Sequence, residues 1–81
     1  MDRSEILSKI TELMRDVFDE DDLVVTDETE AEDVADWDSA NHVRLIVAIE
    51  EVFKIQFTTD EITAPENTGQ LVDLVASKLK G

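Results

Sequence analysis

Asp38-Ser39-Ala40-Asn41-His42-Val43-Arg44-Leu45-Ile46-Val47-Ala48-Ile49-Glu50-Glu51-Val52-Phe53 is the stretch that decides the fold. Leu45, Ile46, Ile49, Val52 and Phe53 recur at helical spacing and form one continuous apolar arc, with His42 on its edge. Asp38 is the expected N-cap, because its carboxylate can accept from the free backbone N–H groups of a first turn, and this puts Ser39 at the first helical position. There the Ser39 hydroxyl stands at the positive end of the helix dipole, where a phosphate ester would meet unpaired donors. The bland reading of Asp-Ser before an apolar-periodic run is ordinary capping, so the dipeptide alone assigns nothing. The other arc of this helix holds Ala40, Asn41, Arg44, Val47, Ala48 and Glu51. Small apolar residues mixed with charges beside Ser39 mark a docking surface; scattered surface aliphatics of no meaning are the alternative. Glu50 and Lys54 have the spacing of a supporting i, i+4 ion pair.

Upstream, Asp19 to Asp38 carries eleven of the 21 acidic residues and no Lys or Arg, interrupted by Leu23, Val24, Val25 and Val34. Self-repulsion disfavours regular structure there, and the aliphatics are candidate anchors for a long loop laid across a bundle. Asp19, Asp21 and Glu30 occupy the first, third and twelfth positions of a calcium-loop window. Leu23 stands at a ligand position and Val24 replaces the glycine that the turn requires, so the match fails. Before the loop, Ile6, Leu7, Ile10, Leu13, Met14, Val17 and Phe18 share one face of a helix that starts near Asp2 and runs to about Phe18.

Downstream, Thr58 and Glu61 have capping-box spacing, and Pro65 leaves room for only a turn or two, giving a short third helix. Asn67 or Thr68 caps a fourth helix whose apolar face is Leu71, Val72, Leu74, Val75 and Leu79, before Gly81. The expected fold is all-α: residues 1–81 as a single domain, a small four-helix bundle with three longer helices, one short third helix and a long acidic loop between helices one and two.

Composition narrows the function. A formal net charge of −14 argues against nucleic-acid or anionic-membrane partners and for basic protein surfaces. Without cysteine there is no thiol nucleophile, disulfide framework or cysteine zinc site. No basic leader or membrane-length apolar run is evident, so the expected location is cytoplasmic and the expected state a monomer. The chain holds one His, no Tyr and no glycine-rich phosphate loop. A Ser39–His42 dyad would lack an oxyanion hole, so the chain reads as a non-enzyme.

The run from Asp38-Ser39 to Phe53 and Ile55, with Val25-Thr26 before it and Thr59-Asp60-Glu61-Ile62 after it, resembles the acyl carrier proteins and their peptidyl and polyketide relatives, over essentially the whole chain. The resemblance implies that Ser39 carries a 4'-phosphopantetheine arm transferred from coenzyme A by a phosphopantetheinyl transferase. The arm's sulfur would hold acyl groups as thioesters for fatty-acid-like, polyketide or other specialised biosynthesis. It further implies that Asp38 belongs to the transferase recognition motif and that helix two reads partners through Ala40, Asn41, Arg44, Val47, Glu50 and Glu51. Acyl-loading, condensing or transferring enzymes with basic docking surfaces would be those partners. Ala40 replaces the usual leucine of the motif, and Asn41 and Arg44 stand where acids are frequent. With Trp37, and with Ala31 where an aromatic is common, these departures suggest a specialised stand-alone carrier. The reading of a different class is an unmodified acidic interaction or divalent-ion-binding module.

Overall fold

Ile6, Ile10 and Met14, all fully buried, commit the first helix to the core, and in the computed structural model, which describes residues 2–80, this helix packs against two others. α1 spans Arg3–Val17, α2 Ser39–Phe53, α3 Thr59–Thr63 and α4 Thr68–Lys80, with a single 3₁₀ turn at Ala31–Asp33 inside the long loop. α1 lies against both α2 and α4. The architecture is the expected helical bundle with three longer helices and one short one. Met1 and Gly81, the latter expected to follow the last helix, lie outside the described residues.

The core joins Ile6, Ile10 and Met14 to Leu45, Ile46, Ile49 and Phe53 of α2 and to Leu71, Val72 and Val75 of α4. Each such side chain contributes about 1.5–3 kcal/mol by leaving water. The loop aliphatics divide: Val25 and Val34 are buried and anchor the loop, whereas Val24 is 76% exposed. Val52, expected in the core arc of α2, is instead 48% exposed. It sits on the flank of the arc in the last turn, while Phe53 turns inward beside Ile49. The expected Glu50–Lys54 pair is also absent among the described residues. Lys54 lies beyond the helix in the left-handed region (φ 58°), and Glu50 Oε2 accepts instead from the Phe57 backbone N–H at 2.9 Å.

Both long helices that precede loops end in the same way. After α1, Asp19 takes φ 56° and the Glu20 N–H reaches the Arg15 carbonyl at 3.0 Å; after α2, Lys54 does the same and Ile55 N–H reaches Glu50 O at 3.2 Å. Glycine usually fills this position, and a side chain there costs about 1–2 kcal/mol. No glycine marked these ends in the sequence, which is why pattern alone did not show how the chain turns out of either helix.

The acidic loop is strapped to the start of α4. Thr29 O accepts from both the N–H and the hydroxyl of Thr68 at 2.9 Å, and Asp27 O accepts from Gly69 N–H at 2.8 Å. Asn67 Oδ1 accepts from Gln70 N–H at 2.9 Å, so the orphan donors of this helix end are satisfied from the loop and the cap. Arg3 closes the strap. Its guanidinium donates to both oxygens of Asp27 at 2.9 Å, to Asp73 at 2.7 Å and to Gly69 O at 3.1 Å, and these carboxylates hold it firmly protonated.

α3 is tied to α4 by Lys78, whose ammonium lies 2.7 Å from Glu61 and 5.5 Å above the Phe57 ring. The Lys78 hydrogen bond, then the Thr58 N–H, holds the Glu61 carboxyl below its usual range. This tie is therefore complete above the ordinary carboxylate pKa and is lost as pH falls through the lower folded value.

A Cβ at Gly69 would lie 2.9 Å from the Asp27 carbonyl oxygen and 3.0 Å from the Asp27 Cβ. Alanine usually stabilises a helix by about 1 kcal/mol relative to glycine. Here the sign reverses. Gly69→Ala is expected to destabilise the fold by about 1–3 kcal/mol, because the loop strap must move; the midpoint of urea unfolding measures it.

Candidate functional site

Asp38 is the N-cap of α2: its carboxylate accepts from Asn41 N–H at 2.8 Å, and its carbonyl accepts from His42 N–H at 2.8 Å. Ser39 is the first helical residue and is exposed. Among the described residues no protein group accepts from the backbone N–H of Ser39 or Ala40. This contrasts with α4, whose N-terminal donors are all taken. The positive end of α2 is therefore open to an anion beside the Ser39 hydroxyl.

The loop that delivers Asp38 is fixed from both sides. Asn41 Nδ2 donates to Asp36 O at 2.7 Å, and Trp37 is buried against Phe18, ring centres 5.7 Å apart. The Trp37 indole N–H donates to His42 Nδ1 at 3.0 Å, and His42 Nε2 donates to Ile62 O in α3 at 2.6 Å. Nothing in the spacing of residues along the chain marks this bridge. Trp37 read as a motif variant and His42 as a residue at the edge of an arc. In fact His42 lies one turn before Leu45 and Ile46, on the core side of α2.

Ser39 sits at the mouth of an open cleft of about 540 Å³ between α2, α3 and the start of α4, lined by His42, Val43, Ile62, Pro65 and Leu71 among others. Its mostly apolar wall suits a flexible chain laid beside the serine. Outside the cleft, Ala40, Arg44, Val47 and Glu51 form an exposed face of α2, which Val43 (53% exposed) extends. Asn41 and Glu50, also assigned to the docking face, are half-buried and engaged with Asp36 O and Phe57 N–H respectively. Val43 went unmarked in the sequence because it falls outside both arcs.

No family model matches the chain. An acyl carrier protein of Rubrobacter xylanophilus is 35% identical over 75 residues, covering 93% of each chain. The chain belongs to the acyl carrier protein family. A solution structure of a holo acyl carrier protein from Geobacter metallireducens superposes with a TM-score of 0.86 at 44% identity, covering 93% of this chain and 86% of that one. An acyl carrier protein is a carrier, not an enzyme, and the bundle, loop and helix order described above are those of such a carrier. Among the described residues, no helix is long and apolar enough to cross a membrane.

Removing the cap tests how the junction is held. Asp38→Ala is expected to cost about 0.5–2 kcal/mol of stability, as for other N-caps. Urea denaturation gives the loss, and amide shifts of residues 39–41 in the NMR spectrum show whether it is centred on the first turn of α2.

Proposed function

We propose that this carrier works through a 4'-phosphopantetheine arm on Ser39, with Asp38 completing the motif read by a phosphopantetheinyl transferase. The observation that carries the reading is the exposed Ser39 hydroxyl at the open N-terminus of α2, beside a largely apolar cleft, in a chain of this family. The residues fit the group. The unclaimed N–H groups of Ser39 and Ala40 would offset the charge of a phosphodiester, and the cleft lined by Val43, Ile62 and Leu71 would shelter the arm. When attached, the arm supplies the thiol that a chain without cysteine lacks, and with it thioester chemistry for acyl cargo. The solved relative from Geobacter is a holo protein, which supports a prosthetic group here.

The chain's own part is positioning and recognition. The Asp38 cap fixes Ser39 at the helix start, and the Trp37 and Asn41 contacts keep the preceding loop from covering it. Ala40, Arg44, Val47 and Glu51, flanked by Asn41 and Glu50, meet loading, condensing or transferring enzymes. A net charge of −14 steers basic partner surfaces toward the face, while the exposed Val43 and Val47 supply its apolar contact. Ala40 in place of the motif's usual leucine, with the cationic Arg44, points to specialised biosynthesis rather than the main fatty-acid system. The protein acts as a cytoplasmic monomer in this reading.

Incubation with coenzyme A, magnesium and a broad-specificity transferase is expected to add one pantetheinyl phosphate, seen by intact-mass spectrometry, and Ser39→Ala to abolish the gain. No gain with several transferases would favour an unmodified acidic interaction module instead. Arg44→Glu is expected to raise kcat/KM with fatty-acid synthase enzymes relative to the protein's own partners; unchanged values with both classes would remove Arg44 from the recognition face.

A further inference from the structure

We infer that His42 is a positioning residue that works in its neutral form, as a proton-sensitive clamp joining the Trp37 loop to α3 across the cleft beside Ser39. This goes beyond the carrier reading and does not depend on the arm.

The geometry admits one tautomer. An indole N–H only donates, so His42 Nδ1, 3.0 Å from Trp37 Nε1, must be bare; a carbonyl oxygen only accepts, so Nε2, 2.6 Å from Ile62 O, must carry the hydrogen. A second proton has one place to go, Nδ1, and there it would face the indole N–H donor to donor. Protonation therefore breaks the link between Trp37 and α2 and leaves a half-buried cation stacked on the indole, ring centres 6.1 Å apart.

What the clamp holds is weak by itself. α3 has five residues, too few for a helix to persist without tertiary ties. Its polar ties across the bundle among the described residues are the Ile62 carbonyl to His42 and the Glu61 carboxylate to Lys78, beside the packing of the Ile62 side chain against the core. Trp37, His42 and Ile62 all line the Ser39 cleft, so protonation loosens its Trp37 side while the Nε2–H bond still holds α3 at Ile62 O.

The charged groups around the imidazole give it no fixed ion-pair partner among the described residues. From the loop, Asp38 faces the cleft with one oxygen bonded to Asn41 N–H. From the turn before α4 comes Glu66, also at the cleft. On α3, Glu61 is held by Lys78 of α4, and on α2 itself Arg44 is exposed. Phe18, the C-cap of α1, sets its ring against Trp37. Asp38 and Glu66 are thus the carboxylates that share the cleft with the imidazole.

The chain contains one His and one Trp, so both ends of the clamp can be observed without interference. Between about pH 8 and pH 5.5 imidazole is the side chain that ordinarily titrates, while unperturbed carboxylates stay ionised. With the 81-residue chain, ¹⁵N NMR of the ring is expected to show the Nε2–H tautomer at the upper pH. As pH falls, the indole N–H resonance of Trp37 is expected to shift and acrylamide quenching of its fluorescence to rise. His42→Gln keeps an acceptor for Trp37 and a donor for Ile62 O but cannot titrate, and is expected to abolish both responses. An Nδ1–H tautomer, a flat Trp37 response in the wild type, or the same response in His42→Gln would overturn the clamp. If His42→Gln does not fold, the wild type decides: coincident midpoints for the His42 ring nitrogens and the Trp37 indole support the clamp, and separate midpoints refute it.

Discussion

A long acidic segment without one positive charge has to be held against a small bundle, and what holds it is the backbone bonding between the loop and the first turn of α4. The carbonyls of Asp27 and Thr29 take the N–H groups of Gly69 and Thr68, which a helix start would otherwise leave unsatisfied. Because these are main-chain groups, the contact needs close approach, and Gly69 permits it by presenting no side chain. Arg3 then neutralises Asp27 and Asp73 over the junction. The loop's route is fixed at that point, and with Val25 and Val34 buried further along, its last residues arrive at α2 with Trp37 against Phe18.

The two helix starts in the second half of the chain are treated oppositely. α4 has its donors closed off by the loop and its Thr68 fully buried, and it serves as a mooring. α2 has a cap from Asp38 but keeps the N–H groups of Ser39 and Ala40 without an acceptor among the described residues, with the serine exposed. The same physics, unpaired donors at the positive end of a dipole, stabilises the fold in one place and is left available in the other. In a protein of net charge −14, the start of α2 still offers N–H donors to an added anion.

α3 shows how a small element is kept in place by its neighbours. Thr58 and Glu61 form a reciprocal cap, so the turn is locally well formed, but five residues cannot sustain a helix. Lys78 draws it toward α4 and His42 toward α2. The cleft between α2 and α3 is therefore bounded by a segment whose position is set by side chains from two other helices.

The helices, their order and the cap at Asp38 were determined by the sequence by itself, because apolar periodicity and capping chemistry are local: Ile6, Ile10 and Met14, or Leu45, Ile46 and Ile49, can face only one way on a helix. Ser39 at the first position of α2 follows from the same local rule. The tertiary structure alone decided that Val52 stays in solvent, that Glu50 caps the Phe57 N–H and that Lys54 leaves the helix in a left-handed turn. It alone joined Trp37, His42 and Ile62, residues separated by up to 25 positions. The physical reason is that each of these depends on a partner from another element, and a pattern along the chain carries no information about which backbone donor or carbonyl will lie opposite a given side chain once the helices pack.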